Sequence, residues 1–392
     1  MSHFHTHVCL VSEQATPNLL PVLDEAWRPQ RVVLAVTPPM AARADAICKL
    51  VKTRCPGVAI EILHVPSAYD YASLEGLFLD FLAKNDTPDV ALNVTGGTKL
   101  MAMAAQDVFR SNRKPVFYVN VENDRALVLG QKGEETQLAA GLKVHEMLAV
   151  HGHDAIVPSP PQVTAQERDL AARLIDRVQS DGWALGAVNA IAMEARRLNS
   201  LSVNLTRAQA DSKSISTLIE LFADAKVLSL QGDSLLFKDE AARSFVNGGW
   251  LEMHVLRTLQ DLRGRHKSIS DVVSNVRVRF AQKAGAANSA DMNEIDVAFL
   301  HKNSLHLLEC KTANLAVAGH GDDDKATEAL YKMESLFKLG GLRTKGMVVD
   351  YRGAFSSSAA NLKRAAQANI LVASGKDLKD LGGLIGRKWL SN

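Results

Sequence analysis

Apolar and polar positions alternate in blocks along the first 150 residues of the chain. Short runs rich in valine, isoleucine and leucine lack the strict alternation of a half-exposed strand, which predicts strands covered on both faces. A segment with the spacing of an amphipathic helix follows four of these runs, and this order predicts a doubly wound α/β sheet over residues 1–150. The predicted strands are VCLVS, RVVLAVT, VAIEILHV, DVALNVT, PVFYVNVEN and RALVLG.

The block pattern stops at residues 157–161, where three prolines mark a domain boundary. Residues 162–244 then contain two segments of helical period, AQERDLAARLIDRVQSDGW and SISTLIELFADAKV, and two short strands on either side of residues 231–234. Helices that end in a small hairpin predict a winged-helix-like domain, which in other proteins either binds DNA or only joins domains. The candidate recognition segment, residues 211–223, has one lysine and no arginine, which favours a connector.

The strand period returns in residues 245–392 and is clearest in the stretch MNEIDVAFLHKNSLHLLECKT. Apolar side chains recur there at every second residue, at Ile295, Val297, Phe299, Leu305 and Leu307. Lys302 and Asn303 interrupt the alternation, and asparagine tolerates the positive φ of a tight turn, so the stretch predicts a hairpin. A turn centred between these two residues places Asp296 opposite Glu309, with about 5 Å between their Cβ atoms. Lys311 follows two residues after Glu309 and shares its face.

These side chains form a candidate site for phosphodiester hydrolysis. Two adjacent carboxylates in a poorly solvated site repel each other unless a cation lies between them, and a lysine beside them can hold a water molecule or a departing oxygen. Glu252 lies upstream, near the start of the predicted helix WLEMHVLRTLQDL and one residue off its apolar stripe, where a carboxylate is costly unless it is compensated. Because the spacing of Asp296, Glu309 and Lys311 also arises by chance in unrelated sheets, a purely structural hairpin is the alternative.

Three strand-to-helix turns of the first domain carry polar side chains, at residues 12–18, 37–39 and 93–99. Ligands of doubly wound sheets bind outside the carboxyl ends of the strands, where these turns lie. In the third turn, NVTGGTK, two glycines allow a ligand close to the backbone, and Lys99 opens a helix whose N-terminus attracts anions. The turn predicts a phosphate or nucleotide site, and a plain glycine turn with a capping threonine is the alternative. The Walker A and GxGxxG patterns do not fit, which disfavours a Walker-type triphosphatase and a dinucleotide oxidoreductase.

Composition narrows the class of protein. The 392 residues suffice for two or three domains, and 47% hydrophobic with 22% charged residues is typical of soluble globular proteins. We expect no membrane segment and a cytoplasmic location, since no long apolar window or signal-peptide pattern occurs. The four cysteines form no CxxC pair, which disfavours structural zinc and disulfides. A net charge of +2 does not itself indicate nucleic acid, but residues 245–283 carry seven Lys/Arg against three Asp/Glu.

The polar turns of the first domain resemble a known family. The opening Ser-x-Gln-x-Thr-Pro-Asn-Leu and the turn Asn-x-Thr-Gly-Gly-Thr-Lys-x-Met are similar to the ligand-facing segments of the CRISPR-associated Rossmann fold, or CARF, domains. CARF domains bind cyclic oligoadenylates across a two-fold dimer axis. The resemblance, over residues 6 to 140, implies these ligand-facing residues: Ser12, Gln14, Thr16, Asn18, Thr37, Thr95, Gly96, Gly97, Thr98, Lys99 and Met101.

The last domain resembles the PD-(D/E)xK nucleases, which have a restriction-endonuclease-like α/β fold. The order of its predicted elements is the family's, and four residues occupy the motif positions: Glu252, Asp296, Glu309 and Lys311. The proline of the motif is absent, because Glu294 and Ile295 precede Asp296. The proline is no ligand, so its absence leaves the chemistry intact.

The resemblance implies a metal-assisted mechanism. Asp296, Glu309 and the backbone carbonyl of Cys310 would bind magnesium or manganese, with Glu252 as a further candidate ligand. Lys332, on the following helix, is a candidate second cation near the phosphate. The acidic run at residues 322–324 is a weaker candidate for a second metal site, because a solvated loop is the plainer explanation.

Together the domains resemble the CRISPR ancillary nucleases of type III antiviral defence. That resemblance implies a homodimer activated allosterically by a cyclic oligoadenylate, most often cyclic tetra-adenylate, that cleaves single-stranded RNA or DNA or nicks plasmid DNA. One alternative is a CARF-type transcription regulator that uses the winged-helix segment. Another is a restriction or repair nuclease whose first domain binds an ordinary nucleotide.

Overall fold

The computed structural model describes residues 4–87, 89–130, 135–159, 163–178, 180–279, 292–312, 325–353, 355 and 358–391. The proline pair at residues 160–161, the alanine- and glycine-rich residues 281–290 and the acidic run at residues 322–324 lie outside these ranges. Within the described ranges, the chain forms three sheets of seven, three and six strands. No described helix combines the length and the apolar character needed to span a membrane.

The first sheet has the doubly wound architecture that the sequence predicts. Its strands are β1 (Thr6–Leu10), β2 (Arg31–Val36), β3 (Ala59–His64), β4 (Val90–Asn93), β5 (Val116–Asn120), β6 (Arg125–Val128) and β7 (Glu135–Gln137). They lie in the order β3-β2-β1-β4-β5-β6-β7, and the first five are parallel. The strand order reverses between β1 and β4, which makes the carboxyl ends of these two strands the switch point where such sheets bind ligands.

Helices cover both faces of this sheet. They are α1 (Thr16–Leu23), α2 (Ala41–Arg54), α3 (Tyr71–Lys84), α4 (Lys99–Ser111) and α5 (Val144–Val150). Alternate side chains of β1 pack with α1 and α2 on one face and with α3 and α4 on the other. The strands are therefore apolar on both sides, which is why they read as continuous apolar runs.

The middle of the chain has helices and a small three-stranded sheet, with more elements than the sequence predicted. A short strand, β8 (Asp154–Ile156), precedes it, and its elements are α6 (Ala165–Asp176), α7 (Gly182–Arg197), β9 (Ser202–Asn204), α8 (Arg207–Ala210), α9 (Lys213–Asp224), β10 (Leu228–Gln231), β11 (Ser234–Phe237) and α10 (Glu240–Ser244). The two predicted helices correspond to α6 and α9, whereas α7 and β9 were not predicted. The buried side chains of α6, α7 and α9 share one apolar cluster with the helix at residues 250–265, which belongs to the third domain. The middle segment therefore packs as part of the third domain.

The third sheet carries the predicted hairpin at its centre. The elements are α11 (Trp250–Arg265), β12 (Ile269–Arg279), β13 (Met292–His301), β14 (Ser304–Lys311), α12 (Lys325–Leu336), β15 (Lys345–Asp350), α13 (Ala359–Gln367), β16 (Ile370–Ser374) and α14 (Leu381–Ile385). The strand order is β16-β15-β14-β13-β12-β8, so β8, which no sequence pattern assigned to this domain, forms an edge of its sheet. Helix α11 packs on one face, and α12 packs on the other together with α5.

Candidate functional site

The turn between β13 and β14 has the predicted conformation. Lys302 and Asn303 both have positive φ angles, 45° and 48°, which suit a two-residue hairpin turn. The ladder that follows pairs Val297 with Leu308, the register expected for a turn centred between Lys302 and Asn303. This register places alternate side chains of the hairpin on opposite faces of the sheet.

The ladder ends at this pair, and just beyond it Asp296 contacts β14 next to Glu309. The backbone N–H of Cys310 donates to Asp296 Oδ2 at 2.7 Å, and Glu309 is only 1% exposed. Burial, and then the charge of Glu309, raise the pKa of Asp296 to about 6. The two carboxylates therefore interact as like charges in a poorly solvated site, as the prediction requires.

Two lysines converge on Glu309. Lys311 Nζ donates to Glu309 Oε1 at 2.6 Å, and Lys332 Nζ reaches both carboxylate oxygens of Glu309 at 2.7 Å. Burial alone lowers the pKa of Lys311, but the charge of Glu309 and its hydrogen bond outweigh burial, so the pKa of Lys311 is raised. Both ammonium groups compensate the buried carboxylate, which would otherwise be costly.

Glu252, in the first turn of α11, is close enough to the site to be affected by its charges. Burial, and then neighbouring charges of which Asp296 is the largest, raise the pKa of Glu252 to about 8. The apolar stripe beside it is buried as predicted, at Leu251, Val255, Leu259 and Leu262. The structure therefore brings the four predicted catalytic residues into one electrostatic environment, with Lys332 added.

The donor set fits a hard divalent cation. Carboxylate and carbonyl oxygens are the ligands that magnesium and manganese prefer, and one or two carboxylates with waters suffice for them. Asp296, Glu309 and the carbonyl of Cys310 provide such oxygens. The described residues contain no group of three or more His, Cys, Asp or Glu side chains arranged to hold a metal ion. A site formed by Asp296 and Glu309 would therefore be completed by backbone and water oxygens.

The pKa of Glu252 predicts how stability depends on pH when no metal is present. The folded protein keeps the proton of Glu252 up to about pH 8, whereas the unfolded chain loses it near the ordinary pKa of 4.5. Stability therefore falls as pH rises between these values, by at most about 1.4 kcal/mol per pH unit. Between pH 6 and 8, Glu252→Gln should remove this fall, measured as the free energy of urea unfolding in EDTA. Glu328→Gln, at an exposed position of α12, is the control and should keep the wild-type slope. A Glu252→Gln profile parallel to the wild type would contradict the assignment.

The polar turns of the first domain lie at one edge of its sheet. They follow β1, β2 and β4, which are parallel neighbours, so their carboxyl ends lie together. The predicted ligand-facing residues at this edge are Ser12, Gln14, Thr16, Thr37, Thr95, Gly96, Gly97, Thr98 and Lys99. Next to Thr37, a mostly apolar cavity of about 320 Å³ extends towards the ends of β2 and β3.

The TGGT turn is built for close approach of the backbone. Gly97 has a φ of +74°, and a Cβ added at Gly96 would overlap the carbonyl oxygen of Leu10. Thr98 caps α4, since its Oγ1 accepts from the N–H of Met101 at 3.2 Å. The exposed Lys99 begins α4 beside this cap, where the helix dipole and the ammonium group both favour an anion.

Besides Thr98 and Ser12, three predicted residues are engaged within the protein. Asn18 Nδ2 donates to Leu10 O at 2.8 Å, and the side chain of Met101 is 1% exposed in the core. Thr95 Oγ1 donates to Asn93 Oδ1 and accepts from the N–H of Val119, both at 2.7 Å. In this structure these three side chains shape the turns rather than face a ligand.

Asn93 joins the two turns. The sequence motif begins at this residue, but it was not among the predicted ligand-facing residues. Its side-chain amide donates to Pro17 O at 2.9 Å, while its Oδ1 accepts from the N–H and hydroxyl of Thr95. Asn93 is fully buried, although it ends an apolar strand. A buried amide at the end of a strand was the available signal, because such a group must find partners.

Comparisons with known proteins found matches for both the first and the last domain. The model of the Card1 CARF domain matches residues 6–147, and that of the Card1-like endonuclease domain matches residues 239–390. The crystal structure of protein VC1899 from Vibrio cholerae is 25% identical, with a TM-score of 0.89 and 98% of each chain covered. Can2 from Sulfobacillus thermosulfidooxidans, solved in complex with cyclic tetra-adenylate, is 27% identical, with a TM-score of 0.78, 100% of this chain covered and 98% of that one.

More distant likeness concerns the fold alone. A type III CRISPR defence DNA nuclease activated by cyclic oligoadenylate is 18% identical, with a TM-score of 0.51, 88% of this chain covered and 45% of that one. No curated protein matches the chain.

Proposed function

Since the chain belongs to the nucleases that join a Card1 CARF domain to a Card1-like endonuclease domain, we propose that it is a metal-dependent endonuclease switched on by cyclic tetra-adenylate in type III CRISPR antiviral defence. The observation that carries the proposal is the closeness of Asp296 to Glu309 on one hairpin, with Lys311 and Lys332 hydrogen-bonded to Glu309. We further propose that single-stranded RNA or DNA, or plasmid DNA, is the substrate.

In the proposed mechanism, the acidic residues bind the metal ion and the lysines supply positive charge. Asp296, Glu309 and the carbonyl of Cys310 would hold magnesium or manganese, which lowers the pKa of a bound water and neutralises charge on the phosphate. Because its pKa is raised, Lys311 keeps its proton at neutral pH. It therefore acts as a hydrogen-bond donor that orients the attacking water or stabilises the phosphate oxygens, and not as a general base. Lys332 supplies a second positive charge from α12.

The activator would bind where the polar turns meet. Can2, whose structure contains cyclic tetra-adenylate, supports this nucleotide as the activator. Lys99 and the amino end of α4 suit phosphates, and Ser12 and Gln14 on the neighbouring turn add polar groups. A ring with two-fold symmetry suits the axis of a homodimer. If it binds the active arrangement a hundredfold more tightly, it shifts the equilibrium by about 2.7 kcal/mol.

One assay tests the proposed function. The protein is incubated with labelled single-stranded RNA, single-stranded DNA and supercoiled plasmid, with cyclic oligoadenylates of three to six units, in manganese, magnesium or EDTA. We expect cleavage only with cyclic tetra-adenylate and a divalent ion. Cleavage at the same rate without any activator would contradict activation, and cleavage in EDTA would contradict the metal.

Gly96→Ala should weaken binding of the activator by about tenfold or more. The new Cβ would overlap the carbonyl oxygen of Leu10, so the turn must move away from β1 and change the position of the phosphate-facing backbone. Isothermal titration with cyclic tetra-adenylate measures the effect. Gly76→Ala, in α3 with open space around the glycine, is the matched control and should bind as the wild type does. Unchanged affinity in Gly96→Ala would place the ligand elsewhere.

A further inference from the structure

The turn of the catalytic hairpin is inserted into the first domain. Asn303 is 5% exposed, and its side-chain amide makes three hydrogen bonds there. Its Oδ1 accepts from the N–H of Leu142 at 2.8 Å, and its Nδ2 donates to Asp124 Oδ2 and to Ala140 O, each at 3.0 Å. A surface turn needs no such contacts, so this asparagine joins the two domains.

Asp124 needs its hydrogen bond from Asn303 because its carboxylate is buried. Asp124 lies between β5 and β6, is 6% exposed and has a φ of 53°. Its Oδ2 accepts from Asn303, while its Oδ1 has no hydrogen-bond partner among the described residues. A buried carboxylate that loses its donor is strongly destabilised, which makes the contact selective for one arrangement of the two domains.

A second set of contacts holds the same segment against the third sheet. Ser270 Oγ donates to Leu142 O at 2.8 Å, and Asp271 Oδ2 accepts from the N–H of Val144 at 2.9 Å. Both residues lie at the start of β12, which pairs with the catalytic strand β13. The first domain therefore contacts the hairpin at its turn, and it also contacts the neighbouring strand β12.

The contacts extend from the proposed activator edge to the catalytic carboxylate. Thr95, in the turn after β4, accepts from the N–H of Val119 in β5, and β5 leads directly to Asp124. Asp124 binds Asn303, and β14 runs from this turn to Glu309. Six residues of extended strand span about 20 Å. Since β14 is paired with β13 and β15, its turn and Glu309 belong to one closely packed sheet, through which a strain at the turn can be transmitted.

We infer that Asn303 is a positioning residue through which the first domain sets the position of the hairpin that carries Asp296 and Glu309. The inference rests on the proposed function. The side chain fits this task because asparagine tolerates the φ of 48° and offers both an acceptor and two donors. Aspartate has the same shape but no donor, and it would face Asp124 as a like charge.

The test uses four variants of the full chain: Asn303→Asp, Asp124→Asn, the double variant and Asn199→Asp. Asn199 is also an asparagine with positive φ, but it is exposed and far from the junction in sequence, so it is the matched control. For each we measure the binding of cyclic tetra-adenylate and the cleavage rate with and without saturating activator. The readout is the ratio of the two rates, because general damage to the fold lowers both together.

We expect Asn303→Asp to bind the activator but to lose about tenfold of its stimulation, which corresponds to about 1.4 kcal/mol. Asp124→Asn alone should be mild, since the introduced amide keeps an oxygen that can accept from Asn303 Nδ2. In the double variant the amide introduced at position 124 can donate to the carboxylate introduced at position 303, so at least part of the stimulation should return. If Asn303→Asp does not fold, Asn303→Gly keeps the positive φ without the amide and should show the same loss.

Two results would overturn the inference. One is wild-type stimulation in Asn303→Asp or Asn303→Gly, and the other is a loss that Asp124→Asn does not relieve at all. Failure of the proposed function is distinct, because the wild-type protein itself would then show no stimulation by the nucleotide.

Discussion

Replacing Glu309 by alanine should abolish cleavage while the activator still binds. Both Lys311 and Lys332 donate to the carboxylate of Glu309, so this side chain positions both lysine ammonium groups. Its loss removes a proposed metal ligand and leaves two ammonium groups without their counter-charge. Loss of an outer-shell partner of a metal ligand costs about 10- to 100-fold, so loss of the ligand itself should exceed that range.

The measurement is the rate of plasmid nicking at saturating cyclic tetra-adenylate, together with titration of the nucleotide. Glu309→Gln, which preserves the shape of the side chain, guards against unfolding and should also be inactive. Glu328→Ala, at an exposed glutamate in the same domain, is the control and should cleave normally. Residual activity of Glu309→Gln above about a tenth of the wild type would argue against a metal ligand, whose loss costs more than this. Loss of nucleotide binding would argue against separable modules.

Replacing Lys311 by alanine should lower the rate at saturating substrate by about 100- to 1000-fold, as for loss of a donor that stabilises developing charge. The raised pKa of Lys311 keeps it charged at neutral pH, so removal of the side chain eliminates a fixed positive charge beside the proposed position of the phosphate. Stability should change less than activity, because Lys332 still contacts both oxygens of Glu309.

Single-turnover cleavage assays and thermal unfolding in the same buffer separate these effects. Lys363→Ala, at an exposed lysine of α13, serves as the matched control. Lys332→Ala gives a further comparison, since it removes the other lysine on Glu309. An effect of Lys311→Ala below about tenfold, or one seen only in substrate affinity, would assign Lys311 to binding and not to the chemical step.

Local rules explain why the hairpin could be predicted from the sequence. A two-residue turn leaves one register for the strands, and the period of two then assigns each side chain to a face. The sequence therefore predicted Asp296 opposite Glu309, and the observed ladder has the predicted register as far as Val297 and Leu308. The alternation of apolar runs and helical segments predicted the doubly wound sheet of the first domain for a similar reason. Strands buried on both faces must be apolar throughout, so they stand out in the sequence.

Helix α7 shows where local reasoning failed. Its sequence, GWALGAVNAIAMEARR, contains two glycines, which normally lower helix propensity. Gly186 leaves room for the guanidinium of Arg352, a residue of the third domain that a Cβ at this position would meet. The helix is stabilised by packing against parts of the chain that are distant in sequence, and no local pattern records that packing.

The sequence by itself determined the doubly wound sheet, the hairpin of β13 and β14 with its turn, and the helix that carries Glu252, because periodicity and turn chemistry act between near neighbours. Only the tertiary structure decided that Lys332 contacts Glu309, that β8 joins the third sheet, that Asn18 and Met101 point inward, and that Asn303 enters the first domain. Each of these contacts depends on how separate elements pack, and their partners are selected by burial and hydrogen-bond satisfaction once the elements have come together.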